Sequence, residues 1–442
     1  MSEKGSSERK GDGDGPVESI RKPVVCFLGP ISSYTHQATL QAFSADKYEL
    51  MPVRTIKDIF DTTQSGRATY GVVPFENSTN GSVVFTLDHF ADRSGLYPDL
   101  NVCREIYLDV HHCIVGYISP SPPPAASSLT TTTTSTSLPQ TQSLLDNPSV
   151  SSPSPPSQSG QYTPTARDLS PPVPRSRPLH SLAHIQRLYS HPQAFGQCAQ
   201  FLAAYLRGAE TIDASSTSRA AELVKAEAES SPPGSSGPCA VAAISSAAAA
   251  ELLGLDVLAR DVEDRADNTT RFFVLRKGTE VGIPPSPPGE KRDEDDDGSD
   301  NTTTDPDPDS DSDDAILART KSLVSFTVPH RSPGALADVL GCFRAAGLNL
   351  TSIGSRPRLA AAGDDDDDDG NGNENEEENE ENEPFQYVFF IEFEGHRFED
   401  PRRRVGDALA GVARVARAWR WLGSWRNERP RVRAKGDRRI GG

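Results

Sequence analysis

The sequence lacks a long apolar run, an export signal and a closely spaced cysteine pair. No apolar stretch reaches the roughly 18 residues that a membrane span requires, which excludes a transmembrane anchor. Residues 1–21 mix acidic and basic side chains around no apolar core, so we expect a flexible leader and no secretory or transit signal. The six cysteines include no C-x-x-C pair, as is typical of reduced thiols. We therefore expect a cytoplasmic protein without a membrane partner.

Apolar residues are also scarce, at 35% of 442 residues against roughly 45–50% in typical globular domains. The deficit is local: residues 119–178 are rich in Ser, Pro and Thr, and residues 289–314 and 364–383 together carry 26 acids and 2 bases. Such segments cannot bury a core, so we expect disordered inserts. No calcium-binding loop of spaced Asp residues occurs in them. The net charge of −18 thus belongs to the inserts, and no nucleic-acid partner is expected.

Short apolar runs alternate with helical patterns over residues 22–277, which predicts an α/β domain with a mostly parallel sheet. Strands are predicted at residues 24–28, 70–74, 102–110, 113–117, 185–189, 240–244 and 270–275. Helices are predicted at residues 34–43, 82–90, 192–206, 217–228 and 246–253, with another opened by a capping box at Thr55. Residues 119–178 interrupt this domain as the Ser/Pro/Thr-rich insert.

A second folded region is predicted after an acidic linker at residues 278–320. Residues 321–426 give a βαββαβ order, which is ferredoxin-like and α+β, interrupted by an acidic insert at residues 360–384. A basic tail follows at residues 427–442.

The run Asn268-Thr269-Thr270-Arg271-Phe272 places hydroxyls, a guanidinium and a ring at the start of a predicted strand. An arginine can clamp a carboxylate through two parallel hydrogen bonds, and a threonine can donate to a leaving oxygen. An ordinary strand can open in the same way, so the run is weak evidence alone. Its weight comes from three other unusual segments that accompany it in a fixed order.

Two of these segments follow predicted strands. Glu76, Asn77 and Ser78 lie at a strand end, where ligands of open α/β sheets gather, although a polar loop with a helix cap explains them equally well. Ser190 is expected as a helix N-cap, with Gln197 further along that helix. His191 is expected to be a structural hydrogen-bonding residue, because no Ser/His/Asp set for hydrolysis is visible.

The segments FLGPISSYTHQA, GVVPFENSTNGS, YSHPQAFGQC and NTTRFFVL, in this order, resemble those of the prephenate dehydratase family, in a fungal type with inserts. Residues 321–426 resemble the family's ACT regulatory domain through three short motifs, which span residues 332–336, 355–357 and 422–424. Two positions depart from the family pattern. Ser32 stands where a second glycine is usual, and Gly354 stands where Glu is usual.

The resemblance implies a catalytic domain of two α/β lobes, like a periplasmic binding protein, with the active site between them. It implies conversion of prephenate to phenylpyruvate, water and carbon dioxide, without a metal or an organic cofactor. Thr270 would assist the leaving hydroxyl, Arg271 would hold the side-chain carboxylate, and Glu76 would orient Arg271 or the hydroxyl. The expected substrate-binding residues are Asn77, Ser78, Ser190, Gln197 and Phe272, with His191 behind them.

The ACT resemblance implies a phenylalanine effector site at the interface of a homodimer or homotetramer. The expected effector-binding residues are Pro333, Gly334, Ala335, Leu336, Asn349, Ser355, Arg356 and Pro357. Gly334 and Ala335 leave room for a ligand backbone, and the N–H groups at the helix start can meet its carboxylate. Two alternatives stay open: an arogenate dehydratase, and a non-catalytic phenylalanine-sensing binding protein.

Overall fold

The computed structural model describes residues 22–119, 173–230, 240–278, 317–358 and 386–430. The predicted leader, both acidic segments, residues 431–442 of the basic tail and most of the Ser/Pro/Thr-rich insert lie outside these residues. The described chain forms two lobes and a C-terminal unit.

The first lobe holds the opening elements of the chain. They are β1 (Val24–Leu28), α1 (Tyr34–Ala42), β2 (Glu49–Val53), α2 (Ile56–Gln64), β3 (Tyr70–Asn77), β4 (Gly81–Ser82), α3 (Val84–Ala91) and β5 (Leu100–Asp109). The chain then crosses to the second lobe. That lobe contains β6 (Cys113–Gly116), β7 (Arg187–Ser190), α4 (Pro192–Gln197), α5 (Ala199–Tyr205), β8 (Glu210–Asp213), α6 (Thr217–Ser230), β9 (Val241–Ser245), α7 (Ala247–Leu253) and β10 (Asp256–Ala259).

The chain returns to the first lobe as β11 (Thr269–Lys277). The C-terminal unit follows, with β12 (Thr320–Thr327), α8 (Ala335–Ala345), β13 (Leu350–Arg358), β14 (Gln386–Glu394), α9 (Arg404–Val415) and β15 (Ala418–Arg426). Its strand order β15-β12-β14-β13 and its βαββαβ sequence are those of a ferredoxin-like unit, as predicted.

Two sheets organise these elements. The larger has the strand order β13-β14-β12-β15-β5-β11-β3-β1-β2, with β4 added to β3, and the smaller has the order β10-β6-β9-β7-β8. The predicted α/β architecture is confirmed, but the prediction of a mostly parallel sheet is wrong. The returning strand β11 enters between β3 and β5 and runs antiparallel to both, which makes the sheet mixed.

Local sequence explains most element boundaries. Thr55 and Asp58 form the predicted capping box of α2, and Ser246 caps α7, which ends at Gly254 in the left-handed conformation. The predicted helix over residues 192–206 is instead two helices, α4 and α5, which break at Cys198. Four strands were not predicted: β4 has only two residues, and β2, β8 and β10 are edge strands with few buried residues.

The first lobe and the C-terminal unit share one hydrophobic core. Phe75 and Phe273 of the first lobe pack in the same cluster as Phe390 and Trp425 of the C-terminal unit. β15 joins β5 where Gly423 lies beside Val102, and an added Cβ at Gly423 would lie 2.0 Å from the Val102 carbonyl oxygen. Only glycine permits this approach. The strand β11 therefore lies within a continuous body that includes the C-terminal unit.

Within the described ranges, no helix is both long and apolar enough to cross a membrane. The five described cysteines are free thiols. Burial raises the pKa of Cys26 to about 11 and that of Cys103 to about 12. These two thiols therefore stay protonated near neutral pH, as expected for structural residues.

Candidate active site

The hydroxyl of Thr270 lies at the start of β11, directly opposite Asn77 at the end of β3. Residues directly opposite each other in an antiparallel pair share a face. The Asn77 amide Nδ2 donates to Thr270 Oγ1 at 3.0 Å and to Asn268 Oδ1 at 2.9 Å. Its Oδ1 accepts from the backbone N–H groups of Thr79 and Asn80, both at 3.0 Å, which fixes the amide orientation. Thr270 Oγ1 is thus an acceptor here, and its own hydrogen remains available to a ligand.

A chain of side chains continues from Asn77 to the second lobe and back. Gln197 Nε2, at the end of α4, donates to Asn77 Oδ1 at 3.5 Å, and Gln197 Oε1 lies 2.7 Å from His112 Nε2. His112 Nδ1 lies 3.0 Å from the hydroxyl of Tyr34 on α1. Burial lowers the pKa of His112, so its ring is neutral. Because the amide oxygen of Gln197 can only accept, the hydrogen of the neutral His112 ring lies on Nε2, which donates to Gln197 Oε1.

The connections between the lobes hold this chain in place. The buried carboxylate of Glu263 accepts from the His112 backbone N–H at 2.9 Å and from Arg175 at 3.2 Å. Gln37 of the first lobe donates to Ser246 of the second at 3.1 Å. Ser78 Oγ donates to the Asp267 carbonyl at 2.7 Å and accepts from the Thr269 N–H at 2.9 Å. The candidate site is therefore built where both lobes meet.

One group of side chains has metal-ligand spacing. His111, Asp261 and Glu263 offer donor atoms that all lie within 4.8 Å of one another. The Glu263 carboxylate already accepts from His112 and Arg175, and the other two side chains are more than half exposed. We therefore assign no metal to this group.

Arg271 does not face Thr270. Phe273 and Leu275 pack in the core shared with the C-terminal unit, whereas Phe272 and Val274 pack on the opposite face of the sheet. Arg271 lies on the same face of the sheet as Phe273 and Leu275. Its guanidinium carbon lies 5.3 Å from the ring centroid of Phe75 and 4.8 Å from that of Phe273. Its side chain is only 7% exposed. The structure thus does not bring the guanidinium, which was expected to clamp a substrate carboxylate, to the face that Thr270 shares with Asn77.

Two protein carboxylates occupy this guanidinium. Arg271 donates to Glu105 Oε2 at 2.9 Å through Nε and at 2.5 Å through its terminal nitrogen, and to Glu392 Oε2 at 2.5 Å. Burial opposes the charge, but the carboxylates outweigh it and raise the pKa of Arg271 further. Glu76 was expected to orient Arg271. It lies opposite Arg271 in the β3–β11 register, yet Glu105 and Glu392 hold the guanidinium.

Two other predicted substrate contacts lie in the interior. Ser190 is fully buried as the last residue of β7, and its hydroxyl donates to the Ile244 carbonyl at 3.0 Å. The N-cap of α4 is His191, whose Nδ1 accepts from the Gln193 N–H, so the N-cap prediction for Ser190 is wrong. Burial lowers the pKa of His191. Phe272 is 1% exposed, in the core with Phe27.

The sequence prediction missed Glu105, His112 and Glu392. Glu105 is an acid inside a strand whose first seven residues are all buried. A buried carboxylate is normally paired with a cationic side chain. The alternation of side chains along a strand could also have separated Arg271 from Thr270. His112 lies in a short link between two strands, and no spacing rule points to it.

The C-terminal unit carries a cavity of about 450 Å³ at the start of α8, which we call the α8 cavity. It is lined by Val328, Pro329, His330, Ser332, Gly334, Ala335, Leu336, Ala337, Leu340 and Phe389. Three of the predicted effector residues therefore line it, and Pro333 lies beside it in sequence. Ser355 lies opposite Phe389 in the β13–β14 register.

The other predicted effector residues lie elsewhere. Arg356 makes a bidentate pair with Asp88 on α3, at 2.7 and 3.2 Å, and the Pro357 carbonyl accepts from Arg93 at 2.8 Å. Asn349 is exposed, and its carbonyl accepts from the Glu394 N–H. At Gly354 an added Cβ would have only Leu87 within 4 Å, at 3.6 Å, so this strand position faces the first lobe.

The chain is a two-lobed α/β protein with an appended ferredoxin-like unit, and a hydroxyl–amide pair lies where its lobes meet. A family model described as prephenate dehydratase matches residues 25–143 and 175–280, half of the chain. The chain belongs to the prephenate dehydratase family, and its function is the dehydratase reaction. The family and the function predicted from the sequence are confirmed.

Known proteins resemble the chain beyond this family region. A bifunctional chorismate mutase/prephenate dehydratase of Aquifex aeolicus is 27% identical over 408 residues, which cover 92% of this chain and 75% of that protein. A probable prephenate dehydratase of Saccharomyces cerevisiae is 26% identical over 356 residues, 75% of this chain and 81% of that protein. The prephenate dehydratase of Arthrobacter aurescens, solved with L-Phe, has a TM-score of 0.56 at 23% identity and covers 93% of both chains. At that identity the structural match shows the fold alone.

Proposed function

We propose that Thr270 donates a hydrogen bond to the leaving hydroxyl of prephenate while the ring becomes aromatic. The observation that carries this proposal is the Asn77 Nδ2 to Thr270 Oγ1 hydrogen bond. It directs the threonine hydrogen away from Asn77. Donation into Oγ1 also polarises the hydroxyl and makes it a stronger donor.

The reaction needs little more than binding and orientation. The bond between the ring and its carboxylate breaks, and its electron pair enters the ring as carbon dioxide departs. The ring then expels hydroxide, which takes up a proton from the solvent and leaves as water. A threonine is a weak acid, so its role is to stabilise the charge that develops on the departing oxygen.

The other substrate contacts follow from the face that Thr270 shares with Asn77. Asn77 donates to this hydroxyl, Gln197 donates to Asn77, and Ser78 accepts from the backbone N–H of Thr269. We propose these three as substrate-binding residues. Arg271, Ser190 and Phe272 are not proposed, because their side chains are buried in other contacts. Glu76 follows the Arg271 face of the sheet, so we assign it no role at the reacting atoms.

A phenylpyruvate assay tests the function. Purified full-length protein mixed with prephenate should form phenylpyruvate, measured by the absorbance of its enolate in alkali. No product beside an active control enzyme would refute the proposal. An arogenate dehydratase would instead show the higher kcat/KM with arogenate, which carries an amino group where prephenate has a keto group.

We also propose that phenylalanine binds in the α8 cavity of an ACT domain and inhibits the enzyme. The cavity of about 450 Å³ suits a single amino acid, and the Arthrobacter relative was solved with L-Phe. Calorimetry should detect phenylalanine binding to the wild type. Leu336→Trp, which fills the cavity, should abolish this binding and leave kcat unchanged. Binding without any turnover by the wild type would favour the non-catalytic sensor.

A homodimer is proposed through the C-terminal unit. In the described residues β13 forms one edge of the larger sheet, and alternate side chains along it are exposed, including Ile353 at 55%. An edge strand with unpaired backbone groups and an exposed apolar side chain such as Ile353 favours pairing with another copy. Sedimentation of the wild type and of Ile353→Lys tests this, since the lysine should shift the mass toward the monomer.

A further inference from the structure

Four charged side chains lie buried between the first lobe and the C-terminal unit. Arg271 and Glu105 come from the first lobe, and Lys321 and Glu392 come from the C-terminal unit; none is more than 7% exposed. Lys321 Nζ lies 3.3 Å from Glu105 and 3.4 Å from Glu392, and Arg271 contacts both carboxylates. We call these residues the buried charge cluster. Its two cations and two anions sum to no net charge.

Each carboxylate oxygen in the cluster has a partner. Glu392 Oε1 also accepts from Thr351 at 2.6 Å, and Glu105 Oε1 also accepts from the Glu428 N–H at 2.9 Å. Burial raises the pKa of Glu392, but Arg271 and Lys321 more than offset this and leave that pKa below its usual value. The four side chains are therefore fixed in one arrangement, because a displaced member would leave an unpaired buried charge.

The cluster holds the residue that follows Thr270. Arg271 is adjacent to Thr270 on β11, and the two side chains lie on opposite faces of the sheet. Because the cluster holds the Arg271 guanidinium in place, it also fixes the strand backbone that carries the Thr270 hydroxyl. We propose that Glu392 and Lys321 are positioning residues for the dehydratase reaction, so that the C-terminal unit completes the active-site strand.

The same contact connects the active site to the α8 cavity. β14 carries both Phe389, which lines the cavity, and Glu392, which contacts Arg271. β12 carries Lys321, and Val328, which follows this strand, also lines the cavity. A ligand that shifts either strand therefore acts on Arg271 and, through it, on Thr270. This second step rests on the proposed binding of phenylalanine.

The test removes the C-terminal half of the cluster without a change of net charge. The double variant Lys321→Met/Glu392→Gln leaves Arg271 and Glu105 as a neutral pair. Glu394→Gln, an acid-to-amide change on the same strand, is the matched control. Near-UV circular dichroism checks folding, steady-state kinetics give kcat and KM for prephenate, and calorimetry gives the Kd of phenylalanine.

A displaced catalytic hydroxyl should lower kcat of the double variant by about tenfold or more, with KM changed by less than about threefold. Its Kd for phenylalanine should stay close to that of the control, while phenylalanine should no longer lower kcat/KM. A folded double variant whose kcat equals that of Glu394→Gln would overturn the positioning role. Lowered kcat with an unchanged response to phenylalanine would overturn the transmission.

If the double variant does not fold, Thr351→Val provides the second test. It removes only the hydrogen bond to Glu392 and keeps all four charges. A smaller fall in kcat at constant KM is expected, and an unchanged kcat would overturn the proposal. Failure of the proposed function can be distinguished from failure of this positioning proposal, because the wild type itself would then form no phenylpyruvate.

Discussion

Replacing Thr270 by valine tests the central chemical claim with little change of shape. Valine keeps the β-branched form that suits a strand but removes the hydroxyl. The lost interaction is one hydrogen bond to an oxygen that gains negative charge as it leaves. Removing a single donor of this kind costs roughly 10²–10³-fold in kcat. We therefore expect kcat of Thr270→Val to fall by about that factor.

The structure also sets the cost to stability. Thr270→Val removes one acceptor of the Asn77 amide, which keeps its bond to Asn268 at 2.9 Å. A neutral hydrogen bond contributes about 0.5–1.5 kcal/mol, so the free energy of unfolding should fall by no more than this. A large loss of kcat with a small loss of stability separates a chemical role from a structural one.

Single-turnover and steady-state assays of phenylpyruvate formation measure the effect. Thr270→Ser should recover most of kcat, because it restores the donor. Thr269→Val is the matched control, since Thr269 Oγ1 donates to Asp109 at the surface. Thr270 is not the donor if Thr270→Val retains kcat within about threefold of wild type, a change too small for a lost donor. A Thr270→Ser variant as impaired as Thr270→Val would also exclude this role for the hydroxyl.

Three further predictions concern stability and the hydrogen-bonded chain. Ser32 has a φ of 82°, in the left-handed region, so Ser32→Gly should raise the free energy of unfolding by about 0.5–1 kcal/mol in urea titrations. Burial lowers the pKa of His112, His36 and His89 below 6.5. The stability that these neutral rings contribute is fully present above that pH and is lost as the pH falls below it. The free energy of unfolding should therefore decrease between pH about 7 and pH about 5. A constant free energy of unfolding over this range would contradict this. Gln197→Leu should leave the buried N–H of the His112 ring unpaired, lower the free energy of unfolding by about 1–3 kcal/mol and lower kcat. Unchanged thermal unfolding of this variant would contradict the prediction.

The sequence predicted the elements with strong periodicity and the strand ends that carry polar side chains. Thr270 and Asn77 were both selected, and the structure joins them through register across 193 residues of chain. The sequence could not show that β11 returns between β3 and β5, because strand order depends on long-range pairing. For the same reason Glu392, 121 residues from Arg271, could not be connected to it.

The three adjacent residues Thr270, Arg271 and Phe272 now divide among three surroundings. Thr270 faces the lobe junction, Arg271 faces the C-terminal unit, and Phe272 fills the core beneath α1. Strand alternation places the first two on opposite faces of the sheet, so we expect that the motif does not act as a single substrate clamp. Substitutions at the three positions should therefore change different measured quantities. Thr270→Val should lower kcat, and Arg271→Met should lower both kcat and the response to phenylalanine. Phe272→Ala should lower the free energy of unfolding by about 3–5 kcal/mol. If all three variants instead raised only KM for prephenate, the motif would be a binding clamp after all, and the face assigned to Arg271 would be wrong.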